Sequence, residues 1–475
     1  MDPKRTHFLG RQANRTGLLA VALVSVALPA CTVVSSRDNA AAAVNIAARQ
    51  ERSAAPWRRD AKAEADAEAR IRELLRRGIN AQDAVAICFL AHPDVQLAFE
   101  SLEITRSELV AAVTPPNPVA IAGTRTPGGN LSAFYPDRNV TVGVLQNVLG
   151  LVNLPSRRRI ATTELERARL EAADKLIALA AGANEAFVDY VAARRVDALR
   201  QEAAMAARAM LELLRQQLGG DRAAELTLLQ ERTGMLQVEG NALRSALDLR
   251  TARARLAVAM GTAGRFDDWD TVDELPPTPG VDPEPLALEL SALQNRLDLQ
   301  AARKAVEARL DAAGVQARWR WLGAAELGVF RESASGGTRF TGPNAMIELP
   351  LFDQRQAQIL AANAEGRAAR RRLESQLLTA RGEIRTHAAE VAATRALLSR
   401  VETDLLPAFR RLRDEQGVGT IDGRRAQLAL LDAEEQRAGL LRDYWRARGA
   451  LARAAGAWEA MPEWPTATQT GAVTP

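Results

Sequence analysis

The stretches AVAICFLAHPDVQLAFESLEI at residues 84–104 and LELSALQNRLDLQAARKAVEA at residues 288–308 are two versions of one pattern. Asp94 falls where Asp298 does, and Gln96-Leu97-Ala98 falls where Gln300-Ala301-Ala302 does. Each stretch opens the same longer series: a short helix, a pair of alternating strands, a proline-marked turn (Pro155, Pro350) and a very long helical hairpin. The two series close at Met260-Gly261 and Ala455-Gly456. Recurrence on this scale is an internal duplication. Residues 81–261 and 286–456 are therefore read as two copies of one unit. Between them, residues 262–285 are a connector, because Pro276-Pro277-Thr278-Pro279-Gly280, Pro283 and Pro285 exclude regular helix and central strand.

The helical part of each copy is unusually long. Between Pro155 and Pro276 lie about 120 residues in which nothing forces a helix to break. Glycine is the usual residue just past a helix end, so the chain is expected to reverse at Gly219-Gly220-Asp221. Arg157 to Leu218 then makes a helix of about 60 residues, roughly 90 Å at the standard rise. The returning helix keeps a seven-residue rhythm in Leu229, Leu236 and Leu243, beside Leu226, Thr233, Gly240, Leu247 and Ala254. Copy two repeats it in Leu431, Ala438, Trp445 and Ala452. A sustained heptad predicts coiled-coil packing.

The strands are short and alternate. Val140, Val142, Val144 and Val148 share a face opposite Thr141, Gly143 and Asn147. Ala345, Ile347 and Leu349 oppose Asn344 and Glu348, and Ala325, Leu327 and Val329 oppose Glu326 and Gly328. Pro118 to Gly123 supplies a fourth strand. This alternation is the signature of a transmembrane β-barrel, though a half-buried soluble sheet shares its period. Four strands cannot close a barrel, and an open sheet edge is not tolerated in lipid. Membrane insertion thus requires several chains to share one barrel, continued by a ring of helices.

Composition narrows the function. The chain has 62 Lys+Arg against 58 Asp+Glu, 47% hydrophobic and 4% aromatic residues. Much of its small positive excess sits at the front, in Lys4, Arg5, Arg11 and Arg15 against Asp2, so a nucleic-acid-binding patch is not expected. These cations precede the apolar run Leu18 to Val24, the order of a secretory signal over residues 1–30. Leu28-Pro29-Ala30-Cys31 resembles the lipobox of bacterial lipoproteins, which implies acylation of Cys31 after cleavage; the alternative is a plain cleaved signal. Residues 31–80 would then be a lipid-anchored lead segment, and 457–475 a disordered tail. No Gly-x-Ser-x-Gly elbow, Walker A sequence or His-Glu-x-x-His occurs. Three scattered histidines (His7, His92, His387) and two cysteines point to no metal centre. The expectation is no enzyme, no cofactor and no metal.

The stretches DAVAICFLAHPDVQLAFESLEITRSELVAAVTPPNP, NRLDLQAARKAVEARLDAAG, GPNAMIELPLFDQRQAQILAANAEGRAARRRLE and DLLPAFRRL, in this order, resemble the TolC-like outer-membrane efflux channels, most closely their lipoprotein members. The resemblance covers most of the chain, from about Gly78 to Gly456. It implies a mainly α protein with a membrane β-barrel: a homotrimer whose twelve-stranded barrel continues into a twelve-helix periplasmic tunnel. It implies an exit duct in the outer membrane of a Gram-negative bacterium, passively exporting small toxic solutes. The implied partners are a periplasmic adaptor and an inner-membrane efflux pump of the resistance-nodulation (RND) type. The same fold also serves type I protein secretion, and a lipid-anchored periplasmic coiled-coil structural protein is the competing class. In the family the distal tips of the helical hairpins form the gate. Carried onto this sequence, the gate or tip positions are Gly219, Arg222, Glu225, Gly423, Arg424 and Asp432. Ala429 stands where a first gate carboxylate is usual, so only Asp432 remains of that pair. Arg222, Arg424 and Arg425 are candidates for ion pairs that hold the tip closed or for contacts with the adaptor, with plain surface arginines as the alternative, and Glu225 and Asp432 alternatively are solvated surface charges.

Overall fold

The computed structural model describes residues 36–48, 56–125, 139–217, 222–271, 274–282, 284–334 and 337–456. Cys31, Gly219 and the tail 457–475 lie outside the described residues. The chain resolves into two compact units. One comprises Met1–Asn39, Arg106–Thr162 and Ala317–Gln356; the other comprises Ala40–Thr105, Thr163–Gln316 and Ala357–Pro475.

The elements follow in an order that repeats. After α1 (Ser36–Ala48) and α2 (Ala61–Arg76), the first series runs α3 (Ala81–Ala91), α4 (Pro93–Val113), β1 (Val119–Arg125), β2 (Asn139–Asn147), α5 (Val148–Val152), α6 (Leu154–Gln217) and α7 (Arg222–Met260). The second runs α8 (Pro285–Asn295), α9 (Leu297–Arg318), β3 (Ala325–Ala334), β4 (Arg339–Ile347), α10 (Gln356–Arg400), a π-helical turn (Val401–Leu405), α11 (Leu406–Gln416) and α12 (Ile421–Ala454).

The first unit is built on one antiparallel sheet in the order β1-β2-β3-β4. Its central pairing joins the hairpin of one series to the hairpin of the other, with Val144 opposite Val329 and Val142 opposite Arg331. Directly paired residues lie on the same face. The register therefore gathers Val140, Val142, Val144, Leu327, Val329 and Ala345 onto one side. The apolar stripes read separately along β2, β3 and β4 become one surface, and it is exposed: Val144, Leu327 and Val329 are each 52% accessible. The other face carries Thr141, Glu326, Glu332 and Asn344 among mixed neighbours.

The second unit is helical. α6 is a single helix of 64 residues, about 96 Å long at the standard rise. Part of it is apolar enough to cross a membrane by composition, but that window is 56% buried within the protein. Its small buried residues, Ala168, Ala172, Ala173, Ala180 and Ala183, let neighbouring backbones approach closely. They pack with Phe89, Phe99 and Cys88 from α3 and α4. Further along, Phe187, Val191, Tyr444, Trp445 and Leu441 join Ile384 and Val391 in the largest core cluster.

The two series close on matching joints. Gly261 ends α7 with φ +73° and Gly456 follows α12 with φ +63°. A Cβ at Gly261 would stand 2.6 Å from His92 Cα, and one at Gly456 would stand 2.8 Å from the Arg296 nitrogen. Both contacts fall at the break between a short and a longer helix, α3/α4 and α8/α9. Glycine is needed at each joint for its conformation and for its lack of bulk. Around the second joint Arg296 donates to Asp298 (2.8 Å), to Glu383 (2.7 Å) and to the Ala454 carbonyl (3.1 Å). Burial works against the Asp298 charge, but the hydrogen bonds and charge of Arg296 outweigh it and hold that carboxyl below the usual carboxylate range.

The connector is fastened at both ends. Trp269 stacks edge-on against Tyr190 at 5.4 Å, with the Arg253 guanidinium 4.2 Å from its ring centre. Trp445 Nε1 donates to the Pro276 carbonyl at 2.8 Å. Asp282 accepts from Arg395 Nη2 at 2.6 Å, from the Tyr444 hydroxyl at 2.8 Å and from Arg448 Nη1 at 3.1 Å.

The heptad reading divides between the copies. Leu431, Ala438, Trp445 and Ala452 of α12 are all buried, as coiled-coil packing requires. The leucines of α7 are not: Leu229 is 60% exposed, Leu236 54%, Leu243 75% and Leu247 63%. Within the chain α7 packs instead through Ala242, Ser245, Ala252, Leu256 and Met260, and Ser245 Oγ donates to Asp197 Oδ1 on α6 at 2.9 Å.

Candidate gate at the helical tips

The second hairpin turns through four residues, 417–420, and two of them, with Gly423 of α12, explain why. Gly417 leaves α11 with φ +68°, its N–H bonding the Arg413 carbonyl at 3.0 Å. Thr420 is the N-cap of α12, its Oγ1 accepting from the Gly423 N–H at 3.0 Å. A hydroxyl at this position satisfies one of the helix's orphan donors. Gly423 then passes so close to the turn that a Cβ on it would sit 1.9 Å from the Gly417 oxygen. Gly423 is thus set by the turn itself, whatever the tip does.

Charged side chains tie the helices together behind the tip. Arg425 of α12 reaches Glu231 of α7 at 2.7 Å and Asp422 in its own first turn at 3.5 Å. Arg424 keeps within α12, donating to Gln427 Oε1 at 3.0 Å. Asp432 is exposed and lies 3.5 Å from Arg200 of α6, which also donates to Glu435 at 2.6 Å. Arg195 pairs with Glu434 at 3.0 Å, Arg208 with Glu239 at 2.6 Å and Arg437 with Glu402 at 2.7 Å. The pairs of Arg425, Arg200 and Arg195 join the two hairpins beside a small apolar cluster of Leu199, Ala203 and Leu431, and the other two pairs lie within one hairpin. Each partly exposed pair is worth roughly 0.2–1 kcal/mol, less at high salt.

The six tip positions of the sequence reading divide accordingly. Gly423, Arg424 and Asp432 stand on α12 within and behind the turn. Glu225 is exposed in the first turn of α7, where the helix dipole favours an acid. Arg222 opens α7, but its side chain lies outside the described residues, as does Gly219. Sequence reasoning missed Arg200, Glu231, Glu435 and Arg208. Their partners are distant in sequence, and nothing in a run of helix-surface charge says which one will be met. Among the described residues no group of histidine, cysteine and acidic side chains is arranged to hold a metal ion.

The chain is a duplicated helix–hairpin–helix series whose two hairpins pair into one open sheet, with long helical hairpins in both series, and it shares this fold with solved outer-membrane channels. No protein-family profile matches the chain, and no curated protein does. Solved structures do. The outer-membrane channel OprN is similar at a TM-score of 0.65 with 18% identity, over 80% of this chain and 90% of that one. The CmeC outer membrane channel of Campylobacter jejuni is similar at 0.65 with 13% identity, over 82% and 88%. The MtrE outer membrane channel of Neisseria gonorrhoeae, solved in its open state, is similar at 0.61 with 15% identity, over 79% and 88%.

Proposed function

We propose that the chain is one protomer of a homotrimeric outer-membrane exit duct, the outer component of a tripartite efflux system. The observation that carries this reading is the sheet. It has four strands, with β1 and β4 at its edges, and one face exposes an apolar patch of Val140, Val142, Val144, Leu327 and Val329. Such a sheet satisfies its edges in lipid only by pairing them. The β2–β3 junction already pairs the hairpin of one series with the hairpin of the other, and β4 against the β1 of a neighbouring chain would repeat that junction. Three chains then supply twelve strands. The exposed leucine stripe of α7 supports the same assembly, since a heptad seam without an intrachain partner suits a neighbouring helix.

In this reading the duct hydrolyses and transforms nothing. Small toxic solutes pass down the bore, delivered by an RND-type pump and a periplasmic adaptor that supply energy and engagement. Residues 81–261 and 286–456 are its two repeats, with 262–285 as connector. Cys31 carries the lipid anchor, and the tips at Gly219, Arg222, Glu225, Gly423, Arg424 and Asp432 form the gate. Threefold repetition of Asp432 in a narrow bore would favour cations.

Single-particle imaging of the membrane-extracted protein, paired with conductance in planar bilayers, tests the reading. A threefold hollow tube with discrete conductance steps is expected. A rod without a barrel and without conductance would sink it in favour of the scaffold.

A further inference from the structure

The sheet register sorts charge by face. Glu326 and Glu332 lie on the mixed face, where Glu332 accepts from Asn139 Nδ2 at 3.0 Å. The apolar face carries no carboxylate on any of the four strands, yet it carries two arginines. Arg331 pairs laterally with Val142 and Thr341, and Arg339 pairs with Ser333 in the last row before the β3–β4 turn. Both are exposed. Towards the opposite, helix-connected end the same face continues through Val329, Leu327 and Ile347.

An arginine on a lipid-facing row is tolerated only near the membrane surface, its cost falling steeply from the midplane outward. Arg331 lies two residues inward of the Arg339 row, roughly 7 Å along the strand, a distance its long side chain can cover by snorkelling. The two are diagonal cross-strand neighbours, with Cα atoms about 7–8 Å apart on the usual spacing. Two guanidinium forks at that separation can converge on one tetrahedral anion, which arginine binds bidentately. Below them the surface is apolar. The complementary molecule carries a phosphate at one end and hydrocarbon at the other.

We propose that Arg331 and Arg339 form a site for the phosphate of a lipid headgroup, in the leaflet that meets the turn end of the strands. The site rests on the barrel reading above, which places this face in lipid.

The test compares the full-length wild-type protein with the Arg331→Gln/Arg339→Gln variant. Each is reconstituted in nanodiscs containing lipid A or phosphatidylglycerol, gently extracted, and read by native mass spectrometry for bound lipid. Conductance is measured on the same samples. About tenfold lower retention of either phospholipid class in the variant, with conductance kept, is the expected result; lipid A alone would identify a phosphomonoester and phosphatidylglycerol alone a phosphodiester. Equal retention in both proteins overturns the site. So does displacement of the lipid by millimolar inorganic phosphate, which would mean an anion site indifferent to lipid. If the glutamine variant fails to assemble, Arg331→Lys/Arg339→Lys keeps the charge and loses the fork: severalfold weaker retention supports the proposal, and unchanged retention overturns it. Wild-type conductance reads the duct itself, so the two ideas fail separately.

Discussion

At the scale of single residues, the tip turn and the buried thiol make the sharpest statements. Gly423→Ala forces the turn apart, because the added carbon has no room beside the Gly417 oxygen. Strain of this kind costs about 1–3 kcal/mol, and faster protease cutting between Gln416 and Ile421 is the expected outcome. Thr420→Ala, which only removes the cap, should act in the same direction at about 1 kcal/mol. Cys88 is fully buried, and burial, with the nearby Asp94 charge, pushes its thiol up to about 12. Native protein at pH 8 should therefore take up no thiol reagent at Cys88. After unfolding it should take up one equivalent per chain if Cys31 is acylated and two if it is not, which turns a packing detail into an assay of the anchor. Asp282 gives a pH dependence. Burial opposes its charge, but hydrogen bonds from Arg395 and Tyr444 and the charges of Arg395 and Arg448 hold its carboxyl below the usual range. A depressed folded pKa contributes stability that is present above the unfolded value, near 3.9, and is lost as pH falls through the folded one. Acidification below about pH 4 should release the connector, seen as new exchange of backbone amides around Pro276 to Asp282, and Asp282→Asn should remove that acid dependence.

At the scale of elements, the contrast between α7 and α12 matters most. Both carry a heptad, and the sequence does not say whose partner is in the same chain. α12 finds its partner within the chain; α7 leaves Leu236 and Leu243 in solvent. Leu236→Asp/Leu243→Asp should therefore leave the folded protomer intact and shift the proposed trimer to monomers, as light scattering in detergent would report. A monomer destabilised to the same extent would mean that the stripe belongs to the chain's own core. The ion-pair ladder makes a second prediction at this scale. Arg425→Ala uncouples α12 from Glu231 of α7, and because that arginine is half exposed the stability change should be small. The expected signature is a raised open probability at low salt that converges with wild type at high salt.

At the scale of the molecule, the duplication, the long helices and the strand faces were legible because each rests on a periodicity the chain prints directly: matched Asp94 and Asp298, a proline-free run, alternating valines. The site was less legible. Gly423 could be picked out as a tip residue, but its reason, the approach to Gly417, needs three dimensions. Arg200 and Glu231 are invisible in the sequence, since neither periodicity nor local spacing brings α6 or α7 beside α12. One feature of the second series also has a global effect. Pro407 lacks the N–H that would close an ordinary turn, and just ahead of it the helix loosens into the π segment Val401–Leu405, where the Leu406 N–H bonds back to Val401. Such a segment absorbs one extra residue, turning everything beyond it by about 100° relative to an unbroken helix. α6 has no such segment. The second hairpin thus carries a phase shift that α6 of the first lacks, and in the proposed ring of three chains the two kinds would alternate. Such a ring would be threefold and only approximately sixfold, so the proposed adaptor would meet two kinds of seat in turn.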